Sequence, residues 1–210
     1  METEAHEFQA DDVVGGHAAL DFVNTVTARD TSPRDWLDGY ARLIDWAVVS
    51  GLVDARTATS LRAQAGESPR EATAALTRAR RMRETLHDAF VSLLTKRTVA
   101  RAVLEEIESA WKRAAARGRL AAGAGRVRFE TGPESSGLDL PLDLVVLAAV
   151  DLLGELDSDR TRVCRGHDCG WLFIDSSKGG RRVWCDMATC GNLAKSQRFA
   201  RAEKRRRRRA

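Results

Sequence analysis

The sequence predicts a mainly α-helical protein with a small β component, divided into two parts of unequal size. Up to Leu156, apolar residues recur mostly at intervals of three and four, the period of one face of an α-helix. After the polar stretch Asp157–Asp159, the composition changes abruptly to Cys, Trp, Gly and Arg. We therefore expect a helical domain over residues 1–158 and a small second module over residues 159–210.

Proline, glycine and capping residues punctuate the helical domain. Asp54, for example, is an expected N-cap, and Pro69 stands in the first turn of the longest predicted helix. The predicted helices cover residues 17–26, 34–50, 54–65, 69–95 and 100–116, and a last one, opened by Pro141, is apolar nearly all round and should be central. Residues 126–131 alternate charged and apolar side chains, which predicts a strand that pairs with the extended N-terminal segment.

Charge is distributed unevenly along the chain. From Arg160 onward there are 15 Lys and Arg against four Asp and Glu, a net charge of +11, whereas the preceding 159 residues carry 19 against 26, a net charge of −7. A basic end attracts polyanions while an acidic body repels them. This asymmetry predicts that the C-terminal module binds nucleic acid.

The four cysteines of the chain lie within this module. Cys164 and Cys169 form one Cys-x4-Cys pair, and Cys185 and Cys190 form a second pair after fifteen intervening residues. Four thiolates complete a tetrahedral Zn²⁺ shell without an open position, so the spacing predicts a structural zinc site. Two disulfides or an iron–sulfur cluster are the alternatives, and a reducing compartment disfavours the first. His167 is left outside the metal set.

Between the cysteine pairs, residues 171–174 are predicted to form one strand of a hairpin and residues 181–184 the other. A basic helix is expected to follow from Gly191-Asn192 at least as far as Arg201, with Leu193, Phe199 and Ala200 turned toward the zinc module. DNA contacts are assigned to five of its cations: Lys195, Arg198, Arg201, Lys204 and Arg205. A solvated basic tail is the alternative.

The N-terminal part offers a candidate ligand site. His17, Asp21 and Asn24 share one face of a helix, and Arg83 lies on the longest helix, so a small-molecule effector could bind between the two. The alternative is that these polar groups bond to neighbouring backbone within the core. We find no nucleophile beside a base, no His-x-x-x-His pair and no open metal site, so no enzymatic activity is expected.

The N-terminal residues are acidic and polar and lack the features of an export signal, and no segment is apolar enough to span a bilayer. A cytoplasmic protein is therefore expected.

At the level of motifs, residues 164–201 (CRGHDCGWLFIDSSKGGRRVWCDMATCGNLAKSQRFAR) resemble the CGNR zinc finger. GGHAALDFVNTV at 15–26 and RRMRETL at 80–86 resemble the ABATE domain that usually precedes it. The resemblance implies a stress-induced transcription regulator whose helical domain senses a signal. Leu193 stands where the CGNR motif has its arginine, which removes one cation from the start of the basic helix.

Other functions remain open at this point. The cysteines could serve as a thiol redox switch that releases zinc on oxidation, and the finger could bind protein or RNA instead of DNA. A homodimer is a further option, because a single short finger makes few DNA contacts.

Overall fold

The computed structural model describes residues 1–123 and 125–207, without the side chains of residues 201–205. It confirms a mainly helical chain with small sheets. The helices are α1 (Ala18–Val23), α2 (Tyr40–Val49), α3 (Ala55–Glu67), α4 (Pro69–Leu94), α5 (Arg101–Arg117), α6 (Pro133–Ser136), α7 (Leu140–Glu155) and α8 (Asn192–Arg207). The strands are β1 (Glu2–Thr3), β2 (Val26–Thr27), β3 (Arg34–Asp35), β4 (Arg119–Gly123), β5 (Arg126–Glu130), β6 (Thr161–Val163) and β7 (Leu172–Ile174).

The helical core forms where the periodicity and the caps predict it. The Asp54 carboxylate accepts a hydrogen bond of 2.7 Å from the backbone N–H of Thr57 and starts α3. Helix α4 has Pro69 in its first turn. Helix α7 packs against α1, α2, α4 and α5 and buries residues such as Val145 and Ala149 completely, so it is central, as its apolar composition predicts.

The pairing predicted for residues 126–131 is wrong. Strand β5 pairs with β4 in an antiparallel hairpin, with Arg119 opposite Glu130, and not with the N-terminal segment. Closing a short local turn costs less chain entropy than joining distant segments. The N-terminal strand β1 instead runs parallel to β3, which also pairs antiparallel with β2.

Only part of the apolar pattern of α5 lies in the core. Leu104 and Trp111 are 49% and 38% exposed. Ile107, Ala110 and Ala114 are the buried residues of this helix. Helix α5 packs closely against α7, and small alanine side chains allow two helices to approach in this way.

The helix predicted over residues 34–50 begins only at Tyr40, because Arg34 and Asp35 belong to β3. The carboxylate of Asp35 is almost completely buried and meets Arg83, whose side chain is fully buried, in two parallel hydrogen bonds of 2.7 and 2.8 Å. The same Asp35 carboxylate accepts the backbone N–H of Leu37. The extended backbone at Asp35 therefore places its side chain beside α4.

Arg83 also organises the chain on either side of β2. Its guanidinium donates to the Thr25 hydroxyl at 3.0 Å and to Glu84 at 2.9 Å. Glu84 in turn binds Arg29 at 2.5 Å, and Arg29 donates to the carbonyl of Val23. We name residues 24–36, which these bonds hold against α4, the joint segment.

No helix in the described part of the chain is both long and apolar enough to cross a membrane.

The buried pair of Arg83 and Asp35 gives a direct stability test. We expect Arg83→Met to lower the free energy of unfolding by about 3 kcal/mol, because it removes the bidentate partner of the buried Asp35 carboxylate and leaves it only Arg80, whose Nε lies 3.3 Å away. Arg101→Met removes an exposed guanidinium that pairs with Glu105. The free energy of unfolding of this control should fall by less than about 1 kcal/mol in the same urea titration. Equal losses in the two variants would contradict this assignment.

Candidate metal centre and basic helix

The four cysteines converge from three neighbouring segments. Cys164 directly follows β6, Cys169 precedes β7, and Cys185 and Cys190 come from the segment that leads into α8. Their sulfur atoms all lie within 4.8 Å of one another. Three of the residues are buried and Cys190 is partly exposed.

The hairpin predicted between residues 171–174 and 181–184 is wrong. Strand β7 pairs with β6, with Thr161 opposite Ile174. The first cysteine pair therefore lies in the loop that connects the two strands of this hairpin. Residues 181–184 form no strand. The backbone N–H of Arg182 donates to the Asp175 carboxylate at 2.7 Å, and the Val183 carbonyl accepts the N–H of Arg165 at 3.1 Å. The backbone has positive φ angles on either side of Cys169, at Asp168 and Gly170.

The sulfur positions fit a tetrahedral metal ion. Zinc–sulfur bonds of about 2.3 Å in a tetrahedron place the sulfurs about 3.8 Å apart. The Sγ atoms of Cys169 and Cys185 are separated by 3.8 Å, as are those of Cys185 and Cys190. All four ligands come from the protein, which leaves no coordination position for a substrate.

Backbone groups also prepare the cluster for a cation. The N–H groups of Gly166 and Cys185 donate to the Cys164 sulfur at 3.3 and 3.2 Å. Hydrogen bonds from the neighbouring thiols, with that of the Cys185 N–H, lower the pKa of Cys164. Thiolate is the form that binds metal.

His167 lies outside the metal cluster. Its ring nitrogen Nδ1 is 2.7 Å from the Asp168 carboxylate, and its side chain is 61% exposed.

The metal site leads directly into the basic helix. Residues Met187–Gly191, which include Cys190, form a single π-helical turn that continues into α8. The Asp186 carboxylate caps this turn by accepting the N–H of Thr189 at 2.8 Å. A metal held by Cys190 therefore fixes the direction in which α8 leaves the cluster.

Lys195 and Arg198 are exposed on α8, and the Arg198 guanidinium lies 5.8 Å from the centre of the Trp184 ring. The side chains of the other predicted DNA contacts, Arg201, Lys204 and Arg205, lie outside the described residues. The expectation that the apolar residues of α8 turn toward the zinc module is wrong for Leu193 and Phe199, which are 49% and 74% exposed.

Two exposed basic residues of the metal module are not among the candidate site residues selected from the sequence. Arg165 and Arg181 are exposed and line a groove of about 860 Å³ between the metal module and the helical domain. Asp30 and Asp168 also line this groove. The sequence did indicate that Arg165 is exposed, because it lies inside the first Cys-x4-Cys loop and such a loop stays at the surface of so small a module.

The four predicted ligand residues bond within the protein. His17 caps α1 through Nδ1, and Asp21 accepts the N–H of Gly15 at 2.7 Å. The Asn24 amide accepts from the backbone N–H of Leu172 and donates to its carbonyl at 2.8 and 2.9 Å. Arg83 is bound to Asp35, as described above. Their role in ligand binding stays a prediction, and none of the four lines the groove beside the metal module.

The same contacts join the metal module to the helical domain. Besides the Asn24 clamp, the N–H of Ala28 donates to the Cys169 carbonyl at 3.0 Å, and that of Ile174 donates to Gly15 at 2.8 Å. The Trp36 ring meets the Trp171 ring edge-on at 5.4 Å. The metal module therefore rests on the joint segment.

Comparison with known families agrees with this architecture. A family model named ABATE, described as "Putative stress-induced transcription regulator", matches residues 16–155, two thirds of the chain. The model of the CGNR zinc finger matches residues 160–209. These matches confirm the resemblance inferred from the motifs. No curated protein matches the chain.

Gly166 provides a test of the metal geometry. A Cβ atom at this position lies 2.7 Å from the Cys190 sulfur and 3.4 Å from that of Cys164. We expect Gly166→Ala to displace Cys190 and lower zinc affinity at least about tenfold, measured by competition with a chromophoric chelator. Gly179→Ala is the matched control, since the atoms nearest to its Cβ belong to the flexible Arg181 side chain. Unchanged affinity in Gly166→Ala would refute the sulfur arrangement.

Asp21 provides a second test, through pH. Burial raises its pKa from 3.8 to about 6, against the opposing effect of the hydrogen bond from Gly15. The folded state therefore holds this proton more tightly than the unfolded chain, so ionisation of Asp21 costs stability as the pH rises through this range. Asp21→Asn keeps an acceptor and cannot ionise.

We expect the unfolding free energy of Asp21→Asn, relative to the unmodified protein, to rise by roughly 2 kcal/mol between pH 4 and pH 7. Urea titrations of both proteins at each pH measure this difference, and any metal loss at low pH affects both alike. A difference that does not change with pH would contradict the assigned pKa.

Proposed function

This chain belongs to the ABATE family and carries a CGNR zinc finger, and from that premise we propose that it is a DNA-binding transcription regulator. In this proposal Cys164, Cys169, Cys185 and Cys190 hold a structural Zn²⁺ ion. The zinc-bound module presents α8 to DNA, and the helical domain senses a small-molecule or protein signal.

The observation that carries the proposal is the continuity of the fourth ligand with the basic helix. Cys190 lies in the turn that becomes α8, and Lys195 and Arg198 follow within two turns. An ion bound at Cys190 would hold this end of the helix in one direction, which reduces the entropy lost when the helix binds. The width of a helix suits the major groove of B-DNA.

Electrostatics supports the same orientation. The residues from Arg160 onward carry a net charge of +11, and the module that they form packs on an acidic body with a net charge of −7. DNA is therefore attracted to the C-terminal module and repelled by much of the remaining surface. The exposed Arg165 and Arg181 are part of this positive charge.

Zinc has a structural role in this proposal. A bound ion supplies the folding free energy that so short a module cannot obtain from apolar burial alone. Two neighbouring groups support the metal site. Gly166 leaves room for the Cys190 sulfur, and the Cys185 N–H stabilises the Cys164 thiolate by a hydrogen bond.

A thiol redox switch is the second candidate function. It is favoured by one observation, the partial exposure of Cys190 beside three buried cysteines. Oxidation of this thiolate would remove the ligand nearest to α8. Zinc content measured before and after mild peroxide separates the two functions, since a purely structural site retains its metal.

The DNA-binding proposal is tested with the zinc-loaded full chain and a 30-base-pair duplex. Affinity should fall steeply between 50 and 200 mM salt, because binding releases counterions from the DNA phosphates. Lys195→Ala with Arg198→Ala should weaken binding and reduce the slope of log affinity against log salt by about 1.8, for two lost phosphate contacts.

The matched control is Arg126→Ala with Arg128→Ala, which removes the same charge from the exposed hairpin of the helical domain. This control should bind DNA as the unmodified protein does. Salt-independent binding, or an equal effect of the two double variants, would contradict the proposal. Tighter binding to a single-stranded RNA of equal length would favour RNA as the partner.

A further inference from the structure

We propose that a cavity between α4, α5 and α7 binds a small organic monocarboxylate with an apolar body. The inference rests on the sensing role proposed for the helical domain and names a site and a ligand class for it. The site differs from the one predicted around His17, Asp21, Asn24 and Arg83, whose polar groups bond within the protein.

The cavity has the size and lining of a ligand pocket. Its volume is about 540 Å³, within the range of roughly 300–1,000 Å³ that is usual for small-molecule sites. Buried apolar side chains form its floor: Met82, Ala110, Leu142 and Val146. Charged side chains surround this floor. A ligand with an apolar body and one charged end matches such a lining.

Most of the charges that line the cavity are already paired. Arg81 binds Glu106 at 2.6 Å, and Arg78 binds Asp139 at 2.8 Å. Arg117 binds both Asp139 and Asp143 at about 3 Å. Glu105 pairs with Arg101 on its own helix. These groups therefore have little remaining capacity for an added charge.

Arg113 is the exception. Within the described part of the chain its guanidinium has no carboxylate partner, and it donates a hydrogen bond of 2.8 Å to the Ser109 hydroxyl. Its other N–H groups remain available at the cavity, one turn along α5 from the buried Ala110. A guanidinium with parallel free N–H groups matches a carboxylate. A monoanion is therefore the ligand whose charge the cavity can still compensate.

Helix α4 connects this cavity to the metal module. Arg81 and Met82 line the cavity, whereas the next two residues, Arg83 and Glu84, hold the joint segment. The joint segment in turn contacts the carbonyl of Cys169 through Ala28. A ligand that moves α4 would therefore act on the segment that supports the finger.

The experiment uses isothermal titration of the zinc-loaded full chain with phenylacetate and hexanoate. Each is compared with its neutral amide, which has the same shape without the charge. We expect at least one carboxylate to bind with a dissociation constant below 10 mM (an order-of-magnitude limit for a weak specific site) and about tenfold more tightly than its amide. Arg113→Gln should weaken that binding about tenfold. Arg128→Gln, at an exposed position that does not line the cavity, should leave it unchanged.

Absence of binding by both carboxylates, equal binding of the amides, or equal binding by Arg113→Gln would overturn the proposal. Thermal unfolding of Arg113→Gln checks that this exposed substitution leaves the fold intact. The titration contains no DNA, so its outcome does not depend on the nucleic-acid proposal. If a carboxylate binds but the duplex does not, the cavity assignment stands and the DNA-binding function fails.

Discussion

The structure depends on one buried ion pair, between Arg83 of α4 and Asp35 of β3. Burial alone would raise the pKa of Asp35, but the hydrogen bonds and charge of Arg83, together with the Leu37 N–H and the charge of Arg80, hold that pKa below its ordinary value. The pair fixes the joint segment at Asp35, while Thr25 and Arg29 attach it through the same network. Because a buried charge without its partner costs several kcal/mol, this segment has little freedom to move away from α4.

The zinc finger is small and packs against the joint segment. Asn24 clamps both backbone groups of Leu172, a residue that is almost completely buried in the core of the helical domain. Trp36 packs edge-on against Trp171 and also stacks on His6. The C-terminal module therefore packs directly against the helical domain. In its hairpin, Leu172 belongs to the main core, whereas Trp171 and Phe173 pack with the cysteines in a second cluster.

Sequence reasoning succeeded where the signal is local. The period of three and four located most helices, Asp54 marked a cap, and the spacing of the cysteines indicated one cluster. It failed where distant residues decide the structure, as in the strand β3, and where a strand had two possible neighbours along the chain, as for β7. A lone arginine such as Arg83 carries no local sign that it will be buried, because its partner lies 48 positions away. The polar face of α1 was visible, but not that Asn24 meets the backbone of Leu172.

The position of the finger on the core also limits how a signal could reach DNA. Since the finger and the helical domain share the joint segment, a ligand can change DNA affinity only if it binds two arrangements of that segment with different affinities. Helix α4 is suited to transmit such a difference, because successive residues contact the cavity on one side and the joint segment on the other. If a ligand does change DNA affinity, linkage requires that DNA change the affinity for that ligand by an equal factor. In the proposed regulator, ligand binding and DNA binding would therefore shift the same conformational equilibrium of the joint segment. The Arg83–Asp35 ion pair opposes any arrangement that separates α4 from Asp35.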